Sequence, residues 1–420
     1  MKRLLNELKP FKKPLIILGV FALVFLICGK LLPMINDIQA NKSPIKSIDA
    51  TNENIYTKDS VIKPSDFKIT ALHENGKKSS INSESIKIDK TRPDVIGEKT
   101  KVTVSLKESP EIKVICEVKN ERKKLEEYFC GSPNIKDVKV VLYSNGELRF
   151  KGKGNVLGYD PGDAPWQNTE NTISSVTFEN TVTPESMDHW FEGFEELTFV
   201  DKLPSSVTSA VSMLSDCNSL ENGVDWSICN ELLDISNMYK GCQSIVNIPP
   251  IPSSVRNATA LCRNCVKLQT APDMIGAKNM ENTTSMYEGC LILTETNSAP
   301  AIKIADNMYS RCINLRKAPT INEGIVSMED MFSDDTSLVT ASRIPESAKN
   351  ISGCYSNCPK LRGEIVIDAT TEEYGGIFSN SVSATTLNLK GKCKYLNEIA
   401  LTNDIGNVYV NGKEAYIEEE

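Results

Sequence analysis

Between Met187 and Leu361 the apolar positions recur as one short phrase. Its clear copies are Met213-Leu214-x-x-Cys217-x-x-Leu220, Met238-Tyr239-x-x-Cys242-x-x-Ile245, Met286-Tyr287-x-x-Cys290-x-x-Leu293 and Met308-Tyr309-x-x-Cys312-x-x-Leu315. Leu261-Cys262-x-x-Cys265-x-x-Leu268 and Cys354-Tyr355-x-x-Cys358-x-x-Leu361 are variants. Met331-Phe332-x-x-Asp335-x-x-Leu338 puts an aspartate at the Cys place, and Trp190, Phe191, Phe194 and Leu197 open the series. The eight Cys places lie 22 to 25 residues apart. A fixed period in this range marks a solenoid. Counted from the Met, the apolar places are 0, +1, +4 and +7. That spacing lines one face of about two helical turns. Each unit therefore predicts a short helix, a short strand and a polar return. Proline often closes the strand, as in Val246–Pro249, Gln269–Pro272 and Arg316–Pro319, because it has no N–H to give a ladder. No unit buries its apolar face alone, so the units must stack.

The flanks follow different periods. Residues 14–28 form an apolar run behind Lys2, Arg3, Lys9, Lys12 and Lys13. Extended to 14–35, it is long enough to span a bilayer, which takes about 20 residues. A basic flank at 1–13 predicts an inside N-terminus and an exported C-terminus. A cleaved signal peptide or a lipid attached at Cys28 are the alternatives. Residues 36–60 are rich in Asn, Lys, Ser and Thr and read as a linker. From 61 to 118, short alternating runs such as Asp66–Leu72, Lys101–Leu106 and Glu111–Cys116 predict a small all-β domain. Residues 119–130 read as a short helix stopped by Gly131. Lys139–Lys151 reads as a hairpin turning at Asn145-Gly146. Past Leu361 the phrase decays through Ile377-Phe378, and two strands, 384–390 and 408–417, follow.

The repeated phrase resembles the BspA-type leucine-rich repeats of bacterial surface proteins, over about 175 residues. It is similar to their branch with Met-Phe-x-x-Cys-x-x-Leu followed by a strand. The loops depart from the family, whose common Asp-Thr-Ser-Asn-Val linker is mostly absent. The order Asn145-Gly-Glu-Leu148, Gly152-x-Gly154, Pro165-Trp166, strand resembles the cap that precedes such repeats. The domain at 61–118 resembles the small bacterial immunoglobulin-like modules. The resemblance implies an α/β leucine-rich-repeat solenoid at 187–375, capped by 119–186 and 376–420. It also implies a single-pass cell-surface protein whose solenoid binds an extracellular protein or glycan. A structural spacer without a ligand is the competing role.

Composition narrows the chemistry. The chain's net charge is −8, and the basic flank leaves a more acidic remainder. That argues against nucleic acid, which needs a basic face. Only His73 and His189 are present, which disfavours zinc hydrolysis and histidine-dependent nucleophiles. Cys217, Cys242, Cys265, Cys290, Cys312 and Cys358 read as small core thiols. Rung-to-rung disulfides, or a Cys116–Cys130 pair, are the alternative in an exported chain. One Cys262-x-x-Cys265 pair is half of a structural zinc site. The acid clusters Glu192/Glu195/Glu196 and Asp330/Asp334/Asp335 fall on polar sides of repeats. Asp160 and Asp163 lack calcium-ligand spacing. No enzyme, metal or cofactor is expected. If the units follow the leucine-rich rule, the residue two places after each Leu faces outward. Phe199, Asn222, Asn247, Thr270, Glu295, Lys317 and Thr340 then form the candidate binding face.

Protease treatment of intact cells should remove residues 36–420 and leave a short N-terminal stub. Full protection of the ectodomain would reverse this topology.

Overall fold

The computed structural model describes residues 43–294, 296, 302–381, 387–401 and 408–414. The expected basic flank at 1–13 and membrane span at 14–35 lie outside the described residues. Among those described, no helix is long and apolar enough to cross a membrane. The chain divides into two units, with the second beginning at Lys123.

The first unit holds β1 (Ile45–Thr51), β2 (Ile55–Tyr56), β3 (Lys68–His73), β4 (Lys78–Ile81), β5 (Ile86–Ile88), β6 (Lys99–Leu106) and β7 (Lys113–Asn120). They form two sheets, β1-β3-β4 and β2-β7-β6-β5. The sheets share a core that includes Ile48, Phe67, Ile69, Ile86, Val102, Val104 and Val118. Two boundaries differ from expectation. The stretch read as a linker supplies β1 and β2, because Ile48 and Ala50 alternate with polar residues and face the core. The expected helix at 119–130 is extended chain. Its C-terminal part is β8 (Lys124–Phe129), which pairs antiparallel with β10 (Val138–Tyr143). Cross-strand partners such as Lys139 against Glu127 outweigh the helix propensity of the Lys-Leu-Glu-Glu run, as tertiary context commonly does.

The second unit opens on a sheet that precedes the rungs. After β9 (Gly131–Ser132) come β11 (Glu147–Gly152), β12 (Asn155–Val156), β13 (Ser175–Phe178) and β14 (Phe199–Val200). The main sheet runs β14-β13-β11-β10-β8, and Asn145-Gly146 turns the β10–β11 hairpin as expected. Trp166 donates Nε1–H to the carbonyl of Trp190 at 2.8 Å, and Phe150 stacks on Trp190 at 5.2 Å. These rings cover the apolar face that the first rung would otherwise leave bare.

From there the chain climbs in rungs. The four apolar places of each phrase are buried to within 2% exposure throughout. One column of stacked rings runs Tyr287, Tyr309, Phe332, Tyr355, Phe378, with centroids 5.3–5.9 Å apart, inside the range where offset aromatic pairs attract. The phrase is not helical, however, and the expected helix per repeat is corrected. Left-handed residues stand at places −1 and +3 of each phrase: Asn237 (φ 56°) and Gly241 (φ 75°), Ser285 (56°) and Gly289 (73°), Asn307 (56°) and Arg311 (64°). A right-handed helix cannot hold a left-handed residue every fourth position. Each phrase is a chain of tight turns instead. Its backbone N–H groups alternate in what they serve. Those of Met238, Lys240 and Cys242 close turns onto Ile235, Asn237 and Tyr239 of their own rung. Those of Asn237, Tyr239 and Gly241 donate to Thr259, Leu261 and Arg263 of the next rung.

Two bridge ladders frame this column. One joins Ser186, Ser209, Asp234, Asn257, Asn282, Ile304, Ser327, Asn350 and Glu373 in succession. The other continues β13 and β14 through Asn222↔Asn247 and Lys317↔Thr340. It reaches β15 (Gly363–Val366) and β16 (Leu387–Lys390). The partial ninth copy adds Ile377 and Phe378 to the buried columns. A short helix α1 (Leu396–Leu401), not foreseen from the sequence, precedes β17 (Val408–Val410) and β18 (Lys413–Glu414). These close the last sheet through the expected Asn411-Gly412 turn.

Gly241 is doubly constrained. It holds a left-handed φ, and a Cβ there would collide with the Asp216 carboxylate of the rung before. Gly241→Ala should cost at least about 1–2 kcal/mol, the usual left-handed penalty. Adding Asp216→Ala should recover the collision part. A double-mutant cycle by urea unfolding measures it, and strict additivity would refute the contact.

Candidate functional site

One long edge of the stack is built by repetition of the same local geometry. The N–H at place +7 closes a turn onto the carbonyl at +4, as Ile245 does onto Cys242. Places +5 and +6 therefore sit at the tip of that turn. Place +7 points inward, and +8 and +9 point out again. Phe199, Asn222, Asn247, Thr270, Lys317 and Thr340 are all exposed there, while Glu295 lies outside the described residues. Rungs are tied together on this edge by Val246 N–H to Glu221 O (2.9 Å), Val339 N–H to Arg316 O (2.8 Å) and Arg362 N–H to Val339 O (3.1 Å). Strands paired this way stand about 4.8 Å apart. The edge thus presents one side chain per place per rung, at near-constant spacing. The leucine-rich rule points to place +9 alone. The turn tips and place +8 add Glu195, Glu221, Val246, Ile292, Arg316, Lys360 and Arg362, all exposed. Their signal was that each stands within two residues of the buried Leu or Ile at place +7.

The six Cys-place thiols are free, and each is 0% exposed. Each also donates to the +1 carbonyl of the preceding rung. Cys217 reaches Phe191 at 3.2 Å, Cys242 reaches Leu214 at 3.1 Å and Cys265 reaches Tyr239 at 3.0 Å. Cys290, Cys312 and Cys358 repeat this on Cys262, Tyr287 and Phe332 at 3.1–3.2 Å. Ser381, at the same place of the ninth copy, donates to Tyr355 at 2.6 Å. The place therefore asks for a small donor as well as a small apolar body. The sequence pattern signals the packing demand and not the donor. Burial pushes these thiols far above their ordinary pKa, so they stay protonated and are poor nucleophiles and ligands. Cys116 and Cys130 are free thiols too, each in the core of its own unit. Cys130 is pushed up to about 12 by desolvation.

Other candidates do not converge. Among the described residues no three His, Cys, Asp or Glu side chains form a metal-holding group, and Cys262 and Cys265 are both fully buried. His73 contacts the Ser43 carbonyl at 2.6 Å and Ser79 Oγ at 2.8 Å. His189 pairs with Glu192 at 2.6 Å, and Glu195 points to solvent. Asp334 accepts a hydrogen bond from Asn357 on the next rung. Asp160 and Asp163 are exposed at a turn.

Asp335 is the exception within the core. It occupies the Cys place, is fully buried, and neither oxygen makes a hydrogen bond among the described residues. Desolvation, the largest cause, raises its pKa well above the ordinary carboxylate value. Burial therefore favours its neutral, protonated form.

No family model matches the chain, and no curated protein matches it. Solved structures with some likeness exist. A leucine-rich repeat protein from Bacteroides ovatus is 16% identical, with TM-score 0.49, over 69% of this chain and 75% of that one. A leucine-rich repeat protein from Eubacterium ventriosum is 15% identical, with TM-score 0.24, over 63% and 95%. A leucine-rich cell surface protein from Faecalibacterium prausnitzii is 12% identical, with TM-score 0.27, over 69% and 96%. The solenoid assignment rests on the ladders described above.

The folded chain keeps a proton on Asp335 that the unfolded chain releases above pH about 3.9. Stability should therefore fall as pH rises from there toward the raised folded-state value. Asp335→Cys should raise stability by about 1–3 kcal/mol at neutral pH, with the gain shrinking toward pH 4. Melting curves across pH 4–8 check it. A gain independent of pH would show that the carboxyl is not the cause.

Proposed function

We propose that this chain is a membrane-anchored bacterial surface protein whose solenoid recognises an extracellular protein or glycan along its strand-side edge. In this reading the run at 14–35 is the anchor. The two-sheet unit is an immunoglobulin-like spacer, and no catalysis is involved. The observation that carries the proposal is the exposed row itself. Successive rungs offer outward side chains at regular spacing on a stack whose interior is filled, and extended repeat surfaces of this kind suit macromolecular partners. The row is not uniformly Ser, Thr and Asn, as a pure spacer would have it. Phe199, Arg316, Lys317 and Arg362 stand among the small polar residues, and aromatics and arginines are the residue types that concentrate binding energy. The ligand-free spacer remains the second reading, favoured by the run Asn222, Asn247, Thr270.

Asn247, Thr270 and Lys317 changed together to Ala should leave the melting temperature nearly unchanged, since exposed substitutions usually move stability by under about 0.5 kcal/mol each. The same variant should lose binding to the partner found by screening the ectodomain against matrix proteins, glycans and cell-surface proteins. Wild-type adhesion by cells lacking 187–375 would favour the spacer.

A further inference from the structure

The two long edges of the solenoid treat charge differently. On the edge carrying the Ser186-to-Glu373 ladder, opposite charges on neighbouring rungs neutralise one another. Arg256 and Lys303 both reach Glu281, at 3.6 and 3.4 Å. At the turn tips and places +8 and +9 of the strand-side edge the signs are separated from the first rung to the eighth, and opposite charges pair across neighbouring strands only beyond them, at Glu364 and Lys390. Glu195 and Glu221 are exposed on the first two rungs, and Arg316, Lys317, Lys360 and Arg362 on the sixth and eighth. None of these six makes an ion pair among the described residues; Lys360 only reaches Ser337 Oγ at 3.4 Å. Between the two ends lie exposed aliphatics, Val246 at 49% and Ile292 at 41%, and one exposed lysine, Lys267; Glu295 lies outside the described residues.

An acidic end, a middle of aliphatic and polar side chains with the single charge of Lys267 among the described residues, and a basic end are complementary to the same edge turned end for end. A twofold axis near the fourth and fifth rungs sets the first rung of one copy over the eighth of the other. Glu195 then faces Lys360 and Arg362. Glu221 falls within one ladder step, about 4.8 Å, of Arg316 and Lys317. Val246 and Ile292 fall near the axis, where an interface wants its apolar core with charges at the rim. Twofold pairing also satisfies every contact twice, which is why isologous dimers dominate among assemblies. We propose that the strand-side edge docks a second copy of this chain, antiparallel. The proposal rests on the reading that this edge is a recognition surface, and names the partner.

The test uses the full chain in detergent, followed by sedimentation at about 0.05 M and about 0.5 M salt. The wild type should dimerise at low salt and weaken as salt rises. Glu195→Lys with Glu221→Lys makes both ends basic. Arg316→Glu, Lys317→Glu and Arg362→Glu together make both ends acidic. Each variant alone should lose at least about tenfold in self-affinity, since juxtaposed like charges are strongly disfavoured. Both should keep their melting temperature. An equal mixture of the two should form a heterodimer. A wild type monomeric at both salts, or a mixture that stays monomeric, overturns the proposal. If the chain is monomeric but binds polygalacturonate through Arg316, Lys317 and Arg362, the partner is an anionic glycan and the recognition edge stands. If neither variant alters self-association or binding to a screened partner, both readings fall.

Discussion

The fold depends on one division of labour in the backbone. At alternate places of the phrase, N–H groups turn the rung and tie it to the next. Neither set is sufficient alone. Turns without a neighbour leave half the donors unsatisfied, and a buried unpaired donor costs roughly 1–3 kcal/mol. Ladder bonds without turns leave no closed rung. The left-handed residues at −1 and +3 allow both at once, since they reverse the chain every fourth residue. The side-chain columns follow from that path. Once successive rungs superpose, like residues fall over like residues, and rings, thiols and leucines stack.

The same superposition explains exchanges that look arbitrary in sequence. Asn257 and Asn282, at place −4, accept from the N–H two residues on, at 3.2 and 2.9 Å. Where place −4 is Ser209 or Ser327, an aspartate of the preceding rung takes over. Asp188 accepts from Ser209 Oγ and Val211 N–H, and Asp306 from Ser327 Oγ and Glu329 N–H. The acceptor is required at that point in space, and either rung can supply it.

The period and the hairpin turns were legible in the sequence because each rests on a local signal. Asn145-Gly146 and Asn411-Gly412 carry their own backbone preference. The outward places were readable from the Leu that they flank. The helix expectation failed because apolar spacing at 0, +1, +4 and +7 is common to two helical turns and to this chain of turns. The discriminating cue was at place +3, where Gly193, Asp216, Gly241, Asn264, Gly289, Asp334, Asn357 and Asn380 stand. Gly, Asn and Asp recurring there mark left-handed backbone, and Arg311 alone breaks the rule. The misread strands β1 and β8 were different. Nothing within seven residues of polar-rich chain says which sheet will accept it, so only tertiary pairing decides. Segregated charge on one edge was invisible until rung order became spatial order.

The buried thiols carry a consequence for the chain's chemistry over time. Each Cys-place sulfur is shielded by the two rungs that sandwich it, and its proton is committed to a carbonyl of the rung before. Oxidants can reach it only when those rungs part. Proteins open locally with free energies well below that of global unfolding, and a solenoid, whose contacts are all between neighbours, has many such openings. Each thiol thus records the breathing of its own pair of rungs. Wherever this chain meets an oxidising environment, its chemical lifetime is set by the weakest junction in the stack and not by the average one.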